Sequence, residues 1–221
     1  MLDLLDIEGA IITIDAIGTQ EAIVNKIVNK GGHYVLPVKE NQKELRKEIK
    51  SQFDSYNNLY ENPEIIHKKT FEKDHGRIEE REYFLSYNTS KIKNKEKWET
   101  VNAIAYTKVT RTNNDETFIA ENYYIIDYPI TIEKLIEAIR VHWNIECGLH
   151  WKLDVILDED HSRNRIKNSI NNLSIMRKIV FNLASLDTRF GKVPLQRKLT
   201  RYMLDFSNIE KLIFEVIPSI S

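Results

Sequence analysis

The sequence predicts an α/β fold with a βαβ opening, a β-rich insertion and C-terminal helices. Three observations carry this. Two short apolar, β-branched runs flank a helical pattern near the N-terminus, four strand-prone runs follow with no helix between them, and from Thr131 apolar residues recur at three and four. At 221 residues the chain can bury a substantial core and accommodates one to two domains. The pattern divides it into 1–40 (βαβ part), 41–130 (helix plus β-rich insertion) and 131–221 (a long helix, then a basic helical segment). Hydrophobic residues make up 42 % and charged residues 29 %. That is ordinary globular usage and excludes collagen-like, low-complexity and mainly disordered chains.

Residues 10–15 read AIITID, whose near-continuous apolarity suits a strand covered on both faces. Gly18 and Thr19 break it. Residues 20–30 then put Ala22, Ile23 and Ile27 on one helical face, and Gly31-Gly32 ends that helix. Residues 33–38 form the second strand, with Pro37 straining a central placement. Strand, helix, strand over about 30 residues is a βαβ unit with parallel strands. Asp15 therefore stands at the carboxyl end of a parallel strand, where open α/β sheets place their sites. An acid there also starts turns and caps helices. Residues 42–53 form a charged amphipathic helix, and 65–71, 79–87, 101–111 and 118–127 form strands. Thr131 can cap a long helix reaching about residue 157, bent near Gly148. Residues 162–186 and 196–215 complete the helices.

The formal net charge of −1 is unevenly spread. Between residues 161 and 201 ten basic side chains face one acid, Asp187. Such a segment is either a polyanion-binding surface or a solvated helical face. Glu146, His150, Asp154 and Asp158, each four apart, make one helical stripe. The stripe is either solvated or a carboxylate site for a hard cation such as Mg²⁺. Cys147, alone in the chain, cannot form an internal disulfide and reads as a small interior residue in a reducing compartment. No apolar run reaches the roughly 18 to 20 residues of a membrane helix. The acidic start MLDLLDIEGA lacks the basic opening of a secretory signal, so a cytoplasmic chain without a membrane partner is expected.

The strings GAIITIDAIGTQ, GGHYVLPVKENQKEL, HGRIEER and IRVHWNIECGLHWKLDVILDED occur in that order. They resemble insertion-sequence DDE transposases of the H-repeat-associated family, from about residue 6 to about residue 205. The resemblance implies a partial RNase H-like fold. It also implies DNA cleavage and strand transfer at insertion-sequence ends, with Mg²⁺ (or Mn²⁺) as cofactor. Asp15 matches the second catalytic aspartate and Glu146 the catalytic glutamate, both as metal ligands. Arg140, His142, Trp143, His150, Trp151 and Asp154 match the signature around the glutamate. Of the residues near it, Arg140, His142, Trp151, Lys152, Arg163 and Arg165 are expected to bind DNA, and Trp143 to anchor the core. Lys39, Asn41 and Gln42, and the word Gly76, Arg77, Glu79, Arg81, match further family blocks. Cys147 stands where the family usually has asparagine, and Glu40 where glycine is common. The block bearing the family's first catalytic aspartate has no counterpart in these residues, so the expectation is a C-terminal transposase portion with little activity alone. Double-stranded DNA at transposon ends, a second copy of the chain and a nucleoid-associated location are the implied partners and place. The alternative is a non-catalytic DNA-binding remnant that pairs with an intact transposase.

Overall fold

The computed structural model describes residues 2–56, 58–74, 77–113, 116–145, 148, 151–158 and 167–216. The opening reading holds in outline. Ile11–Ile12 (β1) is followed by Glu21–Asn29 (α1) and His33–Val38 (β2), and β1 and β2 pair in parallel. The helix between them ends in a Schellman motif. Gly32 N donates to Ile27 O at 3.0 Å and Gly31 N to Val28 O at 2.9 Å, with Gly31 at φ +73°. β1 is only two residues long, shorter than the six-residue run suggested, because the chain turns at Asp15–Gly18. Its shortness accommodates Pro37. β1 reaches only His33 and Tyr34, so at Pro37 the strand has a single neighbour, as on a sheet edge.

Lys43–Asp54 (α2) precedes four long strands: Ile66–Asp74 (β3), Arg77–Ser86 (β4), Ala103–Asn113 (β5) and Glu116–Ile126 (β6). These form an antiparallel meander whose last strand returns beside β2. The β-rich stretch therefore continues the opening sheet, giving six strands in the order β1-β2-β6-β5-β4-β3. Both faces are covered. Val24 and Ile27 of α1 and Leu45, Ile49 and Phe53 of α2 pack on Leu36, Ile104 and Ile125. On the other face Leu135, Ala138 and Ile139 of Ile132–Asn144 (α3) pack on Val35, Leu85, Ala105 and Ile126. Alternation along β4–β6 produces this: successive residues point to opposite layers, and both layers are apolar near β2. Asp127 braces the β1 end of the sheet. Its buried carboxylate accepts Tyr34 N at 2.5 Å and lies 2.9 Å from His33 Nδ1.

The chain divides into two compact units, Met1–His142 and Trp143–Ser221. The second contains Lys167–Leu186 (α4), Leu195–Leu204 (α5) and Ser207–Lys211 (α6), with a small core of Ala184, Tyr202 and Leu212. The helix expected over 196–215 is broken at Asp205. That residue is extended (φ −144°), and its Oδ1 accepts Ser207 N at 3.0 Å, starting the next helix. An apolar groove of about 580 Å³ includes Val180, Leu199, Met203 and Phe206 in its lining. No helix among the described residues is long and apolar enough to cross a membrane.

Candidate active site

Asp15 lies three residues past β1 and starts the turn Ala16–Gly18, with Gly18 N donating to its carbonyl at 2.7 Å. Its side chain makes no capping bond and is 58 % exposed, with Lys39 Nζ 3.8 Å from Oδ1. The turn is tied to the exit of β2. Asn41 Nδ2 donates to Ala16 O at 2.5 Å, Gln42 Nε2 to Thr19 O at 2.9 Å, and buried Thr19 Oγ1 to Pro37 O at 2.7 Å. Among the described residues no three or more His, Cys, Asp or Glu side chains come together to hold a metal ion. Asp15 nevertheless fits Mg²⁺ by donor chemistry. It offers an exposed hard oxygen ligand unused in capping, and Mg²⁺ is typically held by one or two carboxylates together with waters and phosphate oxygens.

Thr131 caps α3, with Lys134 N 3.4 Å from its Oγ1. Near the end of α3, Arg140 Nη1 pairs with Glu72 Oε1 of β3, leaving the arginine side chain 42 % exposed. His142 is half-buried and Trp143 is 38 % exposed, more open than a core anchor. Trp151 is 52 % exposed, and Lys152 Nζ lies 5.6 Å from the centre of the Phe181 ring. The acid–histidine stripe meets a change of winding. Leu157 N donates to Lys152 O at 3.2 Å, a bond spanning five residues, so Lys152–Ile156 is a π-turn and four-residue spacing no longer marks one face. The coil stops at Asp158, whose φ of +53° is left-handed, and Arg177 holds the stop through Leu157 O (2.8 Å) and Asp158 O (3.0 Å). Glu146, His150, Arg163 and Arg165 lie outside the described residues.

A family model described as "Transposase DDE domain" matches residues 1–183. The chain belongs to this family. It is 34 % identical over 210 residues to "Putative protein YbfL" and, to the same extent, to "H repeat-associated putative transposase YhhI", both of Escherichia coli (strain K12). It is 32 % identical over 217 residues to "Putative transposase YncI" of Escherichia coli O157:H7. These matches take in 93–96 % of the chain but 55 % of each relative, so the chain spans about half the length of the curated relatives it matches. The resemblance read from the four sequence blocks is borne out, and the mixed six-stranded sheet with its helices is consistent with an RNase H-like transposase domain.

In this DDE domain part of the HGRIEER word has a structural role. Glu79 is buried on the α3 face of the sheet and pairs with Arg81, and its Oε2 accepts Arg111 Nε at 2.7 Å. Arg81 also lies 3.8 Å from Glu72, the residue that holds Arg140. The network thus runs from the meander to α3, and nothing in the sequence alone singled out Glu72. Glu79→Gln keeps the shape but removes the charge that two guanidinium groups share. It is expected to cost about 1–3 kcal/mol in urea unfolding. An unchanged midpoint would show that the network is solvated.

The basic segment of the DDE chain is partly turned inward. Arg189 pairs with Asp187, and Lys198 is buried with Nζ donating to Ala184 O (2.9 Å) and Asp187 O (2.6 Å) at the end of α4. Arg201 stacks 4.8 Å from the centre of Phe190, and Arg177 holds the carbonyls named above. Lys178, Lys192 and Arg197 are exposed and remain available to a polyanion.

Proposed function

We propose that this chain carries part of the catalytic centre of a Mg²⁺-dependent DNA transposase that cleaves and joins phosphodiesters at insertion-sequence ends. The observation that carries the reading is Asp15, an exposed carboxylate on a turn clamped to the sheet, within the block GAIITIDAIGTQ that resembles the family's second-aspartate word. Asp15 and Glu146 would hold the metal, with Mn²⁺ able to replace Mg²⁺. When bound, the metal would activate the attacking oxygen and stabilise the leaving one. The protein's part is to present hard oxygen ligands from rigid elements, and Asp15 rests on a turn closed by backbone bonds and tied to the exit of β2 by the side chains of Thr19, Asn41 and Gln42. Trp151, His142, Lys152, Arg163 and Arg165 would face DNA, and the open part of Arg140 would reach a phosphate beside Glu72. The partners proposed are transposon-end duplex and a second copy of the chain, in a cytoplasmic, nucleoid-associated setting.

The test is strand cleavage of a duplex carrying the element's terminal sequence, by the chain joined to the first-aspartate block of a full-length relative, with Mg²⁺, Mn²⁺ or EDTA. Cleavage with either ion that stops in EDTA supports the reading. End-specific binding without cleavage supports the non-catalytic remnant instead, and cleavage that persists in EDTA overturns the metal mechanism. Binding itself should weaken as salt rises, with a log–log slope of about −0.9 per phosphate neutralised. Affinity insensitive to salt between 50 and 200 mM, a range in which phosphate-driven binding falls steeply, would remove the basic side chains from the interface.

A further inference from the structure

We propose that Asn41 and Gln42 are positioning residues for Asp15, so that the segment leaving β2, rather than β1, sets the carboxylate. This rests on the reading of Asp15 as a metal ligand. β1 ends at Ile12, so the sheet's own hydrogen bonds stop before the acid. The tertiary restraints come from the other strand. The two side-chain amides grip Ala16 O and Thr19 O, on either side of Gly18, at 2.5 and 2.9 Å. Thr19 closes the attachment through Pro37 O at 2.7 Å. Ala16 O already accepts Thr19 N at 2.9 Å inside the turn, so the Asn41 bond ties an existing turn to the sheet. The same segment sets Lys39 beside the carboxylate, 3.8 Å away, with both side chains well exposed. Its two effects on a bound cation have opposite signs: the amides hold the ligand in place, while the ammonium competes for it.

The experiment is Mn²⁺ titration by water-proton relaxation, on the full chain, well below its unfolding temperature. Residues that orient a metal ligand change affinity by about 10- to 100-fold when removed. Asn41→Ala and Gln42→Ala should each weaken Mn²⁺ at least about tenfold, approaching Asp15→Ala. Lys39→Gln should tighten it, by less than about fivefold, since an exposed pair is weak. In parallel, amide exchange at Gly18 and Thr19 should speed at least about tenfold in Asn41→Ala, because those two N–H groups close the turn. Unchanged Mn²⁺ affinity in Asn41→Ala, with or without a lower melting temperature, leaves that residue merely structural and overturns the proposal. Unchanged affinity in Asp15→Ala sinks the metal-ligand reading instead. In that case faster exchange in Asn41→Ala still establishes the clamp, and unchanged exchange removes it.

Discussion

With the first-aspartate block of a full-length relative joined to the chain, Asp15→Asn is expected to lower Mg²⁺-dependent strand cleavage by at least about a thousandfold while moving folding stability by less than about 1 kcal/mol. The first number follows from what a metal-ligating carboxylate does. Charge stabilisation by a bound ion is worth several kcal/mol in the transition state, and each 1.36 kcal/mol is a factor of ten. The second follows from how little Asp15 contributes to the fold. Its carboxylate is 58 % exposed, makes no capping bond, and pairs with an exposed lysine at 3.8 Å. Asparagine is also a good residue at the start of a helical turn, so the backbone has no reason to change. Single-turnover cleavage and urea unfolding on the same preparation separate the two. Cleavage within tenfold of wild type would remove Asp15 from the chemistry. A stability loss of several kcal/mol would make it a structural residue whose effect on cleavage is indirect.

The place of Asp15 could be read from the sequence because its neighbours are local signals. The unbroken β-branched run from Ile11 ends at Ile14, and Asp15 and Gly18 mark a turn. The four long strands were equally legible as β-prone runs between polar connections, and β4, β5 and β6 each carry a stretch buried on both faces (83–85, 103–106 and 123–126). What holds Asp15 was not. Asn41 and Gln42 bond to carbonyls 23 to 25 residues earlier, and side-chain amides donating across strands leave no periodic trace. The same limit applies to charge. Counting ten basic residues between 161 and 201 could not reveal that Lys198 points into a helix end or that Arg189 is spent on Asp187. The long helix from Thr131 failed in a different way. Its described first part, α3, runs to Asn144, and a π-turn at Lys152–Ile156 changes the phase that the acid stripe relied on. A one-residue change of winding is invisible to a window that averages over several turns.

Asp187→Ala is expected to destabilise the C-terminal unit by about 3–5 kcal/mol, the range for removing one partner of a buried ion pair. The Asp187 side chain is fully buried. It accepts Arg189 Nε at 2.9 Å, Arg189 Nη2 at 2.6 Å, Arg189 N at 3.0 Å and Tyr202 OH at 2.7 Å. Without it the Arg189 guanidinium loses its charged partner and keeps the Asn208 carbonyl at 2.9 Å, while the buried Tyr202 phenol loses its carboxylate acceptor. Hydrogen bonds from Arg189 hold the Asp187 carboxyl down to about 2, against an ordinary value of 3.8, with Tyr202 adding to the effect. The folded-state value is depressed, so its contribution is fully present above about pH 4 and is lost as pH falls toward 2. Over that window the difference amounts to about 2 kcal/mol. Asp187→Asn cannot titrate, so stability plotted from pH 5 to pH 2.5 should fall less steeply for this variant than for the wild type. Equal slopes would mean that Arg189 and Tyr202 bind the carboxylic acid as well as they bind the carboxylate. The charge of Asp187 would then contribute nothing to holding α4 and α5 together.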